Sequence, residues 1–228
     1  CVSHSAAARY IIKPIHDHAS YGIDAESVIA ASDTATIHAA LASRERLLHR
    51  RCFAERFIDG REFNLSILAG PSGPEVLPPA EILFVGFPED EPRIVNYDAK
   101  WEPDSYVFQN SPRQFDFPNS DGPLLDALSR LTTACWHLFG LRGYARVDFR
   151  VDHDGNPAIL EVNANPCLSP DAGFAAAVDR AGYSFREAVG RIVADAVGEY
   201  PRADTAVRAD RPRPVHWQAD LEGCVRLA

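Results

Sequence analysis

The chain has 228 residues, 46% of them hydrophobic and 24% charged, enough to bury the core of one large domain or two small ones. A formal net charge of -9 excludes the broad basic face of a nonspecific nucleic-acid binder, and no apolar run reaches the roughly 18 residues of a membrane span. Five cysteines without a CxxC pair exclude a zinc knuckle or a dense disulfide framework and point to a reducing cytoplasm.

The opening "CVSHSAAARY" has neither Met nor the apolar stretch of a signal peptide, and is expected to belong to a processed chain or to the later part of a longer one. "RYIIKP" (9–14) reads as a strand stopped by Pro14, and "IHDHASYGID" (15–24) as a hairpin-like loop of small and polar residues. From Asp33, an N-cap candidate, Ile37, Leu41, Leu47 and Leu48 recur at near-helical spacing and predict one amphipathic helix. Three strands are expected at 52–58, 62–70 and 81–87, with Asp59-Gly60 and "GPSGPEVLPP" as turns. Residues 88–123, rich in Pro, Asp, Asn and Ser, read as a long irregular segment of the kind that carries function.

"PLLDALSRLTTACWHLFG" (123–140) predicts a helix with Pro123 in its first turn and Gly140 at its end. A hairpin follows over 145–166, then two helices divided by Gly182, then a tail from Pro201 read as extended or disordered. The order of elements is α+β with mostly antiparallel sheet. Neither GxGxxG nor a Walker A sequence is present.

The hairpin "RVDFRVDHDGNPAILEVNANP" carries the chemistry. Side chains alternate across a strand, so Arg146, Asp148, Arg150 and Asp152 share one face, and Ile159, Glu161 and Asn163 share one on the returning strand. A turn at His153–Asn156 brings Asp148 and Glu161 onto neighbouring strands with Asn163 two positions beyond. Two carboxylates and an amide oxygen suit a hard cation such as Mg²⁺, and Arg146 suits a phosphate or a developing oxyanion. A solvated polar face of an antiparallel hairpin is the alternative for this pattern alone.

These residues resemble the metal-binding end of the ATP-grasp fold, in the D-alanine–D-alanine ligase-like family. In the same order, "IIKP" resembles the family's phosphate-lysine strand, "HASYGI" its small-residue phosphate loop, "AERFIDGREFNLSIL" its hinge strand and GxEF turn, and "YDAKW" its YxAKY segment. The resemblance covers about residues 9 to 198 and implies an α+β protein of two subdomains gripping ATP: a small one over 1–57 and a large one over 58–200, with 201–228 as a tail. It implies that Lys13, Ser20, Gly22 and Lys100 meet the phosphates. Glu55 and the backbone of Arg56 and Phe57 would meet adenine, and Glu62 the ribose. Asp148, Glu161 and Asn163 would hold two Mg²⁺, with Mn²⁺ as the substitute ion, and Arg146 would stabilise the reacting phosphate. His16 and His18 read as solvated loop residues rather than ligands.

What the resemblance implies for function is an ATP-dependent carboxylate–amine ligase. Such an enzyme forms a peptide-like bond through an acyl-phosphate, on small amino-acid-like substrates, without nucleic acid or membrane. A non-catalytic nucleotide-binding or interaction module is the second reading. The sequence departs from the family at Cys167, where "PG" is usual, and at Ala172, where an acceptor-side serine is usual. Cys167 and Ser169 then stand at the substrate end. The family's N-terminal domain is expected outside this chain, supplied by the rest of a longer chain or by a partner chain, and a homodimer is a further arrangement the family allows.

Overall fold

A computed structural model describes residues 7–17, 20–88, 91–95 and 110–200. Lys100, with the "YDAKW" segment, His18 and the tail from Pro201 lie outside the described residues. By backbone contacts the chain divides into two compact units, one within Cys1–Asp59 and Phe84–Pro112, the other within Gly60–Leu83 and Arg113–Arg213.

The first unit is built on a three-stranded antiparallel sheet in which β1 (Ala8–Pro14) lies between β2 (Val28–Ala31) and β3 (Cys52–Arg56). Ile11 and Ile12 are the buried centre of β1, and Pro14 ends it by removing a ladder donor. β2 pairs antiparallel with β1, making the hairpin connection expected after Pro14, although the four residues "VIAA" are too few to show a period in sequence.

Helix α1 (Thr34–Leu48) is capped as expected: the Asp33 carboxylate accepts from the Thr36 amide at 2.7 Å. Its expected apolar face needs correction. Leu47 is 63% exposed, and the side chain buried most deeply is Arg44, at 6%. Ile37, Leu41 and Leu48 are half-buried, in keeping with the expected face, and Arg44 takes the inward place expected of Leu47.

The second unit is a six-stranded sheet of order β7-β6-β4-β8-β9, with β5 also paired to β4. Its strands are β4 (Arg61–Leu68), β5 (Glu75–Val76), β6 (Ala80–Ile82), β7 (Arg113–Gln114), β8 (Tyr144–Val151) and β9 (Pro157–Asn163). The strand expected over 81–87 ends at Ile82. Beyond it Gly86 takes a positive φ of 69° and the chain turns, leaving the sheet.

One face of this sheet is apolar: Phe63, Leu65, Val147, Phe149 and Val151 pack against Leu128 and Cys135 of α2 (Gly122–Phe139). That helix runs as the spacing predicted, with Gly140 closing it in the left-handed region at φ 59°. At one end of the opposite face, Leu68 is sealed by Phe174, Ala177 and Val178 of α3 (Gly173–Arg180) and Ala188 of α4 (Phe185–Ala196). The remainder of that face is polar on β4 and β8, with Ala80 and Ile82 of β6 beside it.

Strict alternation along the hairpin also needs correction. The register steps by one residue between Asp148 and Phe149: Asp148 lies opposite Glu161, but Phe149 lies opposite Ile159. Leu160 is the extra residue of a β-bulge, so Ile159 does not continue the row of Glu161 and Asn163.

Candidate functional site

The polar face is assembled from three cross-strand rows. Ser66 of β4 lies opposite Arg146 of β8, which lies opposite Asn163 of β9. The next row is Asn64, Asp148 and Glu161, and the third pairs Glu62 with Arg150. Residues directly opposite share a face, so these side chains stand together on the side away from α2.

Charge pairing organises them. Arg146 grips Asp148 with two parallel bonds of 2.7 Å, from Nε to Oδ1 and from Nη2 to Oδ2. Arg150 donates to Glu62 at 3.1 Å, with both side chains buried. For Arg146, burial works against the charged form, but Asp148 first, then Glu161 and Glu62, outweigh it, and its pKa is raised. Glu161, by contrast, is exposed and makes no hydrogen bond or ion pair among the described residues.

These donors fit a hard divalent cation. A carboxylate offers about four lone-pair sites, and the two bonds from Arg146 leave Asp148 half of its own. Among the described residues, Glu161 keeps all of its sites, and the Asn163 amide oxygen accepts only from the Asn165 amide, at 3.0 Å. No group of three or more His, Cys, Asp or Glu side chains is arranged for a metal among the described residues. The set here is instead two carboxylates and an amide, the oxygen-only chemistry that Mg²⁺ takes while retaining water or phosphate oxygens.

Lys13, Ser20, Gly22, Glu55, Arg56 and Phe57 belong to the first unit. Lys13 and Glu55, diagonal neighbours on β1 and β3, form an ion pair. The Ser20 hydroxyl donates to the Val95 carbonyl at 2.8 Å, and Ser20 and Gly22 both take left-handed backbone, at φ 61° and 65°. Arg56 is exposed at the end of β3. The Phe57 amide donates to the Arg9 carbonyl at 2.9 Å, which commits that N–H to the sheet rather than to a base.

Beyond β9, the exposed Cys167 thiol lies 3.2 Å from the Ser169 hydroxyl. Hydrogen bonding with that hydroxyl, and then with the Ser169 backbone, lowers the thiol's pKa. Nearby, the Tyr144 hydroxyl donates to the Asn165 amide oxygen at 2.6 Å. Sequence reasoning missed Arg113. The register places it opposite Ile82, itself opposite Glu62, and so on the same polar face. Its guanidinium donates to the Asp171 carbonyl at 3.2 Å and packs against Gly173. Its pKa is lowered by burial and then by the charge of Arg146. A two-residue edge strand in a Pro-rich segment leaves no period from which to assign it.

Comparison with known proteins identifies the family and the fold. The family described as "D-ala D-ala ligase C-terminus" matches residues 5–194. The D-alanine–D-alanine ligase of Synechococcus sp. (strain JA-3-3Ab) is 30% identical over 204 residues, covering 90% of this chain and 57% of that protein. Among solved structures, the D-alanine–D-alanine ligase of Bacillus anthracis complexed with ATP aligns with a TM-score of 0.59 at 19% identity, over 83% of this chain and 52% of that one. The D-alanyl-alanine synthetase A of Vibrio cholerae aligns at 0.61 and 17% identity, over 84% and 53%. The chain therefore spans about half the length of the relatives it matches.

Proposed function

The chain belongs to the family of the D-alanine–D-alanine ligase C-terminal region and has its ATP-grasp fold, and from that membership we propose that it is the Mg-ATP-binding part of a carboxylate–amine ligase. The observation that carries the reading is the placing of Asp148 opposite Glu161, with Asn163 in the adjoining row beside Arg146. Phosphoryl transfer spreads negative charge over several oxygens, and its catalysis is largely positioning and charge stabilisation. Asp148, Glu161 and Asn163 would hold Mg²⁺, which would supply charge neutralisation at the phosphates.

The chain's own residues do the rest. Arg146 stays protonated and presents a guanidinium to the anion that develops when a substrate carboxylate takes up the phosphoryl group, and again when an amine attacks the acyl-phosphate. Lys13 and Lys100 neutralise phosphate, and the Ser20–Gly22 turn supplies backbone donors. Glu55 and the backbone of Arg56 and Phe57 meet adenine, and Glu62 the ribose. Ser169 and Cys167 border the substrate end.

The test is thermal stabilisation by ATP. The reading requires a Mg²⁺-dependent rise in melting temperature that Glu161→Ala abolishes, and the absence of any rise in the unaltered protein would reject it. Ala172, standing where the family's acceptor serine is usual, favours one second reading, a nucleotide-binding module without turnover. Release of ADP in the presence of an amino-acid panel, by the full-length protein, separates the two.

A further inference from the structure

Arg44 is the side chain that α1 buries most deeply. A guanidinium is costly to bury unless its donors and its charge are matched, so its partners reveal what it is there to hold. Nη2 donates to the Gly22 carbonyl and to the Ser27 hydroxyl, each at 2.8 Å, and pairs with the Asp24 carboxylate at 2.5 Å. All three partners lie in the turn that follows β1. Ser27 and Asp24 are themselves locked together: the Ser27 amide donates to Asp24 at 3.0 Å, and the Asp24 amide to the Ser27 hydroxyl at 3.0 Å.

A second contact reinforces the first. Leu48 lies one helical turn beyond Arg44, and a Cβ built on Gly22 would come within 2.8 Å of its Cδ1. Helix α1 thus holds the backbone of Gly22 from two sides, by its carbonyl and by its Cα. The Ile23 amide closes the turn on the Ser20 carbonyl at 3.0 Å. That leaves the Tyr21 and Gly22 amides without an acceptor among the described residues. Successive amides of this kind, next to left-handed backbone, form an anion-binding arrangement.

We propose that Arg44 is a positioning residue, which fixes the backbone of the Ser20–Asp24 turn so that the Tyr21 and Gly22 amides receive the phosphates of the nucleotide. The inference rests on the nucleotide reading above and extends it to a side chain that touches no ligand. It explains why a helix otherwise facing Ile37 and Leu41 inward spends its deepest position on an arginine.

Calorimetric titration of the full chain with Mg-ATP and with adenosine tests it. Arg44→Met lowers Mg-ATP affinity about tenfold, the effect of one lost hydrogen bond to a charged group, and leaves adenosine affinity unchanged. Arg44→Lys, which keeps a cation beside Asp24, recovers part of the loss. Should Arg44→Met fail to fold, Asp24→Asn, at a half-exposed side chain, shows the same split at about threefold. Equal losses for both ligands, or no loss for either, overturn the role of Arg44. An unaltered chain that binds no Mg-ATP overturns the nucleotide reading itself, and the proposal with it.

Discussion

Asp148 and Glu161 stand directly opposite each other on adjacent strands, yet only Asp148 is paired, through both oxygens, with Arg146. Like charges placed opposite on a sheet repel, and a shared cation removes the repulsion. Because Glu161 is exposed and its side chain makes no hydrogen bond or ion pair among the described residues, Glu161→Gln should leave the stability of the ligand-free chain within about 0.5 kcal/mol of the original. It should nevertheless abolish the Mg²⁺-dependent part of ATP stabilisation. Chemical denaturation with and without Mg-ATP measures both.

The Glu62–Arg150 pair behaves differently because it is buried. Arg150→Met leaves a carboxylate inside the sheet face and should cost about 3 kcal/mol. Arg150→Met combined with Glu62→Gln should cost clearly less than the sum of the single changes, since each single change removes the same bond from a buried pair. A double-mutant cycle in urea that returns simple additivity would contradict this.

Cys167 is exposed and its pKa is lowered, whereas burial raises those of Cys52 and Cys135. The nucleophile is the thiolate, so lowering the pKa increases its fraction at neutral pH. Iodoacetamide at pH ~7 should therefore modify Cys167 well before Cys52 or Cys135, with half-maximal rate below the ~8.5 of an ordinary thiol. Peptide mapping over time reads the order directly.

Gly60 takes φ +145°, and a Cβ added there would come within 2.0 Å of the Val151 carbonyl oxygen. Backbone cannot yield as a flexible side chain can. Gly60→Ala should destabilise the protein by about 2–4 kcal/mol, against a far smaller effect at Gly73, where a Cβ meets nothing within 4 Å and only the positive φ is strained. Thermal unfolding of the two variants makes the comparison.

At α4, Ser184 and Glu187 form a reciprocal cap that lowers the Glu187 pKa, through the Ser184 hydroxyl first and then its amide. A carboxylate with a depressed folded pKa contributes stability above its unfolded value, near 4.3, and loses it as pH falls through the folded value. Ser184→Ala should therefore lower the urea midpoint more at pH ~6 than at pH ~3. Part of the difference persists in acid, because the Ser184 hydroxyl also accepts from the Glu187 amide at 3.2 Å.

The carboxylate hairpin of the candidate site was legible because β8 and β9 announce themselves twice, by two-residue alternation and by a turn around Gly155. The expected pairing of Asp148 with Glu161 is kept because the turn, one residue longer than His153–Asn156, is offset by the bulge at Leu160. Arg44 and Arg113 were not legible. An arginine on a helix is ordinarily a surface residue, and only the position of the Gly22 carbonyl shows why this one is inside. Strand β2 escaped for want of length, and the strand expected over 81–87 was overextended because apolar composition does not register a glycine at positive φ.

The bulge at Leu160 has a consequence for how this region tolerates insertions and deletions over evolution. The ladder on the turn side of the bulge, from Phe149 and Ile159 outward, is already out of step with the ladder on its other side. A residue gained or lost around Asp154 can be absorbed by shifting that irregularity, without moving Glu161 away from Asp148. The same change beyond Glu161 has no such buffer and would turn Asn163 to the opposite face. Length variation among relatives should therefore gather at the tip of the hairpin and be scarce between Glu161 and Pro166.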